Sequence, residues 1–411
     1  MKIAIVSDAV YPYSIGGTEK RNYEIARRLA EKGHEVTIYS MKWWEGPDSR
    51  VDEGVQIKAI SPYFPLYSGG RRSIKEALFF ALHCLKLVKE DFDILDINHM
   101  PHLVLFSTKL VALLKRKKLH AIWNEVWGVA YWIQYMGPSG VLAAWIEKIT
   151  ALLPDKFTAV SEHTANALMT ELKVPQHKIT VIPNGISIAE LEGIVPAASC
   201  SDVIFVGRLL SHKNVDVLIQ SIVLLKIRYP RIKCLIVGKG SERDTLIELA
   251  RKQALLENVE FIDYLEDYHQ LYALMKSSRV FVLPSTREGF GIVVLEANGC
   301  GLPVVTTDHP QNAAKHLIKE GLNGKTVALS KENLAHAIDL CMMMNRDISA
   351  YNALLQHYDW NHLAQKVEQM YTAQRSSKTI SKEEPTLLGI NEETQATDAR
   401  EKVLVKDRKV E

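Results

Sequence analysis

Short apolar runs rich in branched side chains recur along the first half of the chain, each briefer than a helical stripe. The first is Ile-Ala-Ile-Val-Ser at residues 3–7; a Gly-Gly turn at 16 and 17 follows, then a helical pattern with Ile25, Leu29 and Ala30 on one side. Further strand candidates stand at residues 36–39, 94–97, 121–123, 156–160 and 180–182, and helical runs separate several of them. Strands alternating with helices predict a parallel sheet with crossover helices.

The same pattern restarts after a loop at 196–201. Strands are expected at 203–207, 233–238, 259–262, 280–283 and 304–305, and helices near 214–228 and 241–255. The chain therefore divides into an α/β domain over residues 1–195 and a second one over 196–357. A closing helix is expected over 358–374, with Leu363, Val367 and Met370 on one face and a return to the first domain left open. From 375 to 411 aromatic residues vanish and charges of both signs crowd together, the composition of a mobile tail. Both halves end strands at glycine or small polar residues, and open parallel sheets bind ligands at the carboxyl edges of their strands. Two such edges facing each other predict an interdomain cleft as the site.

Composition narrows the class. Of 411 residues 47% are apolar and 24% charged, which excludes a largely disordered chain and a membrane bundle. Lysine plus arginine (50) nearly cancel aspartate plus glutamate (48), so no global field draws the chain onto nucleic acid and an anionic ligand must be held by local charges. The five cysteines (84, 200, 234, 300 and 341) are scattered, with no pair at metal-ligand spacing, and read as reduced thiols of a cytoplasmic protein. No apolar stretch approaches the roughly 20 residues of a membrane span. Residues 74–88 come nearest and read as an ordinary packed helix, with peripheral contact at the inner face of a membrane kept as the alternative. Lys115-Arg116-Lys117-Lys118 reads as a solvated helix end, with anionic lipid heads as its alternative partner.

The segment 284–305, Pro-Ser-Thr-Arg-Glu-Gly-Phe-Gly-Ile-Val-Val-Leu-Glu-Ala-Asn-Gly-Cys-Gly-Leu-Pro-Val-Val, carries the most chemistry: Glu288 precedes Gly289-Phe290-Gly291, and Glu296 follows. If a helix starts near Gly291, its free amides and positive end suit a phosphate, and the two carboxylates can contact different ends of one ligand. Gly207-Arg208-Leu209-Leu210-Ser211-His212-Lys213-Asn214 places two cations just beyond a strand, Arg208 as a fork and Lys213 as a point charge, a pattern suited to a diphosphate.

Together with Gly16-Gly17, Val181-Ile182-Pro183-Asn184-Gly185 and Gly238-Lys239-Gly240, these strings resemble the retaining family-four glycosyltransferases, glycosyl transferases group 1, over residues 1 to about 372. The resemblance implies the GT-B fold, two Rossmann-like domains facing across a cleft. It also implies a nucleotide-sugar donor held mainly by the second domain, transfer with retention at the anomeric carbon, no cofactor and no essential metal. Carried over to matching positions, Arg208 and Lys213 would bind the diphosphate, Glu296 the ribose hydroxyls and Glu288 the donor sugar. The amides near Phe290 and Gly291 would meet sugar or phosphate, Gly238 and Gly240 would line the nucleotide pocket, and Gly16 and Gly17 would approach the diphosphate from the first domain. Fixed cations placed where negative charge grows on the leaving group stabilise departure without a metal.

One position departs from the family. Where many relatives place a histidine beside the reacting sugar, this chain has Asn124, which cannot shuttle protons near neutral pH. The leaving phosphate would then take the acceptor proton; Glu125 in that role, or loss of transfer activity, are the alternatives. His99 and His102 stay outside the catalytic set. Asp91-Phe92-Asp93 matches a metal-holding pattern of another glycosyltransferase fold but precedes a strand, at the edge away from the cleft. Gly238-Lys239-Gly240 lacks the third glycine of a dinucleotide fingerprint. Trp123, Trp127, Tyr131, Trp132 and Tyr135 suit either stacking on a sugar acceptor or packing. The expected function is sugar transfer from a nucleotide-sugar to a saccharide, lipid-linked or small-molecule acceptor; the alternative is a non-catalytic sugar-nucleotide-binding or scaffolding protein.

Overall fold

A computed structural model describes residues 1–14, 16–68, 71–263, 265 and 267–379. In chain order the first domain runs β1 (Lys2–Val6), α1 (Gly17–Glu31), β2 (Glu35–Met41), β3 (Ser49–Asp52), β4 (Val55–Ser61), a small ribbon of β5 (Tyr67–Ser68) and β6 (Arg71–Arg72), and α2 (Ile74–Cys84). It continues with β7 (Ile94–Asn98), α3 (Val104–Leu114), β8 (Leu119–Trp123), α4 (Gly128–Met136), α5 (Gly140–Thr150), β9 (Lys156–Ala159), α6 (Glu162–Thr170), β10 (Ile179–Val181) and α7 (Ile188–Glu192). The main sheet has the order β10-β9-β8-β7-β1-β2-β4-β3, parallel except for the β3/β4 hairpin. Every residue of β7 and β8 is buried, as strands covered by helices on both faces require.

The second domain repeats the plan with β11 (Ser201–Val206), α8 (Val215–Arg228), β12 (Cys234–Val237), α9 (Arg243–Lys252), β13 (Val259–Ile262), α10 (Tyr268–Lys276) and β14 (Ser278–Leu283). Then come α11 (Ile292–Gly299), β15 (Val304–Thr307), β16 (Gly324–Val327), α12 (Lys331–Met342) and α13 (Ile348–Leu355). Its sheet is wholly parallel, in the order β13-β12-β11-β14-β15-β16. Two parallel-sheet α/β domains, each with its own apolar core, are the architecture expected from the strand pattern.

The chain passes between the domains twice, and the two passes lie side by side. The Ile186 amide donates to the Tyr358 carbonyl (2.9 Å) and the Trp360 amide to the Ile186 carbonyl (3.1 Å). A Cβ at Gly185 would stand 2.6 Å from the Tyr358 carbonyl oxygen and 2.7 Å from the Trp360 ring, so the Asn184-Gly185 string serves this crossing. Helix α14 (Trp360–Thr379) begins there. Its first turns return to α1, where Arg28 donates to Asn361 (2.9 Å) and Lys32 and His34 meet Glu368 (2.6 and 2.9 Å). The helix runs through residues 375–379, which the composition assigned to a mobile tail; residues 380–411 of that assignment lie outside the described residues. All five cysteines are unpaired thiols, four of them buried. Among the described residues no helix is long and apolar enough to cross a membrane.

Candidate active site

A cavity of about 570 Å³ opens at the carboxyl ends of both sheets. From the first domain it receives Gly16, Gly17 and Thr18 at the start of α1, and Asn124 and Glu125 just after β8. The second domain contributes Arg208 and Lys213 after β11, Gly238 after β12, and the stretch from Glu288 through α11 to Glu296. Among the proposed site residues, Gly240 stands apart. It sits further along the turn after β12, where a Cβ would lie 2.1 Å from the Leu209 carbonyl oxygen, so its glycine serves a backbone contact.

The turn before α11 explains the Glu288 to Gly291 string. Gly291 is the N-cap of α11 with φ +89°, and a Cβ there would stand 2.5 Å from the Ala314 side chain, so glycine satisfies both the left-handed backbone and the space. No side chain caps the helix, which leaves its first amides directed at the cavity that Ile292 and Val293 line. Gly289 is where the domains touch: a Cβ would fall 2.2 Å from the Asn124 carbonyl oxygen, and Ser161 Oγ donates to the Gly289 carbonyl (2.8 Å).

The charged groups are cross-paired in the cleft. Lys213 Nζ donates to Glu288 Oε1 at 2.5 Å, with both side chains largely buried. Arg208 stands exposed at the mouth and donates to the Tyr67 hydroxyl (3.2 Å). On α11, Glu296 Oε1 accepts from Tyr272 Oη (2.9 Å) and lies 3.8 Å from Lys20 Nζ, which reaches over from α1 and itself donates to Tyr272 Oη (2.5 Å). Lys20 also lies 4.0 Å from the centroid of the Tyr268 ring.

Asn124 is held by its backbone: its amide approaches His99 Nδ1 (3.4 Å) and its carbonyl accepts from Thr164 Oγ1 (3.0 Å). His99 stacks on Trp123, and burial pushes its imidazole down to about 4, which keeps it neutral; burial also lowers His102. Glu125 pairs with Arg287 (Nε to Oε2, 2.9 Å). Burial opposes its ionisation, but the Arg287 guanidinium outweighs that, and the carboxyl is held below the ordinary range. Arg287 lies 3.5 Å from the Tyr131 ring centroid, while Trp123 and Trp132 are buried in packing. The aromatic cluster thus splits between core and an interdomain clasp. Glu19 sits against Gly16, where a Cβ would stand 2.3 Å from its Oε2; burial, aided by Asp8, pushes its carboxyl up to about 7.

Lys20, Tyr272 and Arg287 carry no signal in the sequence pattern that singles them out. Arg287 directly precedes Glu288 and Lys20 follows the Gly-Gly turn by one helical turn, but only the domain arrangement shows that both reach across the cleft. Asp91 and Asp93 bond to the side chain and amide of Lys2 at the amino edge of the sheet, 2.8 and 3.1 Å.

Residues 15–190 match the family model for glycosyltransferase family 4, and residues 201–354 match that for glycosyl transferases group 1. The chain belongs to the group 1, family-four glycosyltransferases. A glycogen synthase of Mycobacterium tuberculosis is 28% identical over 407 residues, covering 91% of this chain and 95% of that one. The phosphatidyl-myo-inositol mannosyltransferase of Mycobacterium leprae is 26% identical over 390 residues, covering 88% of this chain and 95% of its own. In fold, the family member resembles sucrose-phosphate synthase from Thermosynechococcus elongatus (TM-score 0.73, 18% identity, 92% of this chain and 99% of that one). It also resembles Anabaena HepE, solved in complex with UDP-glucose (TM-score 0.68, 18% identity, 91% and 100%). These neighbours share the GT-B architecture of two facing α/β domains.

Proposed function

We propose that this glycosyltransferase moves a sugar from a nucleoside diphosphate to an acceptor hydroxyl with retention of anomeric configuration and without a metal or other cofactor. The observation that carries the reading is the convergence of Lys213, Glu288, Glu296 and the uncapped start of α11 on one cavity. Glu296 takes the ribose hydroxyls, Lys213 and Arg208 the diphosphate, and Glu288 the donor sugar. Gly16, Gly17 and the amides at Gly291 complete the cradle. Lys213 exchanges its bond with Glu288 for the phosphate as the donor enters, which frees the Glu288 carboxylate for sugar hydroxyls.

In the reaction the bond between the anomeric carbon and the phosphate oxygen breaks, and the acceptor oxygen forms the new bond on the same face. The acceptor proton passes to the departing phosphate oxygen, since the Asn124 amide cannot take it and Glu125 is committed to Arg287. The solved neighbour with UDP-glucose supports a nucleotide-sugar donor of this kind. The test is incubation with UDP-, GDP- and ADP-sugars and a panel of saccharide, lipid-linked and small acceptors. Acceptor-dependent release of nucleoside diphosphate, absent in Glu288→Ala, and a product whose anomeric proton coupling matches the donor are expected. Inverted product defeats the retention assignment. Donor binding without turnover on any acceptor, or as hydrolysis, favours a non-catalytic role.

A further inference from the structure

We infer that the first domain carries a docking surface for an anionic phospholipid bilayer, built from the outer faces of α2, α3 and α5. The inference stands on its own observations and does not depend on the donor chemistry proposed above. From β4 to β7, β8 and β9 the chain steps across the sheet in one direction, and right-handed crossovers place the helices of such steps on one face. On that face each helix is apolar on its outer side as well as its inner one. Helix α2 buries Phe80, Ala81 and Cys84 yet presents Ile74, Leu78 and Leu82 outward at a four-residue spacing, continued by Leu85 in the following turn. Helix α3 presents Phe106, Leu110, Leu113 and Leu114. On α5 the stripe is Leu142, Trp145 and Ile149, continued by Leu152, with Trp145 61% exposed.

Among the described residues, sixteen of the twenty-four exposed large apolar side chains lie between residues 74 and 152. Among its described residues the second domain, of comparable size, has nothing similar: its exposed apolar residues, such as Ile227 and Leu256, are scattered. Single exposed apolar residues are ordinary, whereas stripes repeated on successive helices of one face call for a partner.

Charge selects that partner. Residues 71–89, 104–118 and 140–152 hold eleven lysines and arginines against two acids, although the whole chain is almost neutral. Both acids, Glu76 and Glu147, are buried; of the acids that flank these segments, Asp155 and Asp93 pair with Lys109 and Lys117 and Asp91 with Lys2, and the remaining cations leave the face net positive. The cations gather at the helix ends: Lys75 near the start of α2, Lys86 and Lys89 after its end, Lys115 to Lys118 after α3, and Lys148 near the end of α5. Apolar stripes between basic ends match the acyl boundary and headgroups of an anionic leaflet. A second copy of this chain would bring the same cations face to face, which disfavours a homodimer through this surface.

The test is flotation of the full chain with phosphatidylcholine vesicles, with and without about one-third phosphatidylglycerol, a fraction chosen to give a strong negative surface potential. Binding to the anionic vesicles, weakened by salt and absent or faint on phosphatidylcholine alone, is expected. Two variants at exposed positions read the two halves of the surface: Leu82→Glu/Leu142→Glu/Trp145→Glu for the apolar part, and Lys75→Glu/Lys89→Glu/Lys148→Glu for the charge. Each should lower vesicle partitioning about tenfold or more, with thermal unfolding and nucleoside-diphosphate binding unchanged. Failure of the wild type to float with anionic vesicles overturns the inference, as does undiminished binding of both variants. A wild-type dimer that the apolar variant dissociates, with flotation unaffected, assigns the face to a second copy instead.

Discussion

Lys213 and Glu288 neutralise one another across 2.5 Å in the cleft, so removing either one alone strands a largely buried charge. Lys213→Ala is expected to cost about 3 kcal/mol or more of unfolding free energy and about 10²–10³ in turnover. In Lys213→Ala/Glu288→Gln chemical denaturation should recover much of the stability, while turnover stays low. Recovery of both would mean that the lysine acts only through its partner. Glu19 supplies a pH dependence. Its carboxyl, pushed up to about 7 by burial and by Asp8, is neutral below that value and adds a negative charge beside Gly16 above it. Affinity for a nucleotide sugar, whose diester pyrophosphate keeps a constant charge over this range, should fall as pH rises through 7. Calorimetric titration should show that fall in the wild type and a flat profile in Glu19→Gln. The motif residues at the cleft were legible because strand ends and glycine turns announce themselves locally. Lys20 and Arg287 were not, because their roles arise from groups 276 and 162 residues away in sequence, Glu296 and Glu125.

The helix beginning at Gly291 is the element on which the proposed donor cradle depends. Its first residue combines φ +89° with a Cβ position 2.5 Å from Ala314, so Gly291→Ala faces both a strained backbone and a steric clash. A loss of about 1–3 kcal/mol in stability is expected, measured by denaturant unfolding, together with weaker binding of nucleoside diphosphate as the amides shift. The buried parallel strands were readable from their apolar runs because both faces of β7, β8 and β12 are covered. Strands β3 and β16 were not. Ser49–Asp52 pairs at the sheet edge with three of its four residues exposed, and Gly324–Val327 is held by β15 with no apolar run of its own. The span 74–88 read as a packed helix, and α2 does bury one side, but the outward exposure of its other apolar residues depends on which face the sheet leaves uncovered.

At the scale of the molecule, two domains of one plan are tied across the cleft by Glu125 to Arg287, Lys20 to Tyr272 and Glu296, and the Gly289 contact. The Glu125 carboxyl is depressed from its ordinary value near 4.5, with Arg287 overcoming the effect of burial. A depressed carboxyl contributes stability that is complete above the unfolded value and is lost as pH falls through the folded one. The clasp should therefore weaken only on acidification below about 4.5, and Arg287→Ala should remove that part of the acid sensitivity in thermal melts between pH 3 and 7. Repetition of the strand-helix plan made the two-domain architecture legible; the clasp depends on the relative placement of the domains, which no local pattern encodes. The central claim is that the cleft grips a nucleoside diphosphate through Lys213, Arg208 and Glu296, and its most direct measurement is thermal unfolding with UDP, GDP, ADP and their sugars. At a concentration near 100 times the dissociation constant, one base series should stabilise the wild type by about 2.7 kcal/mol, and that gain should vanish in Arg208→Ala. A folded wild type that none of these ligands stabilises, or an Arg208→Ala protein stabilised equally, would contradict it.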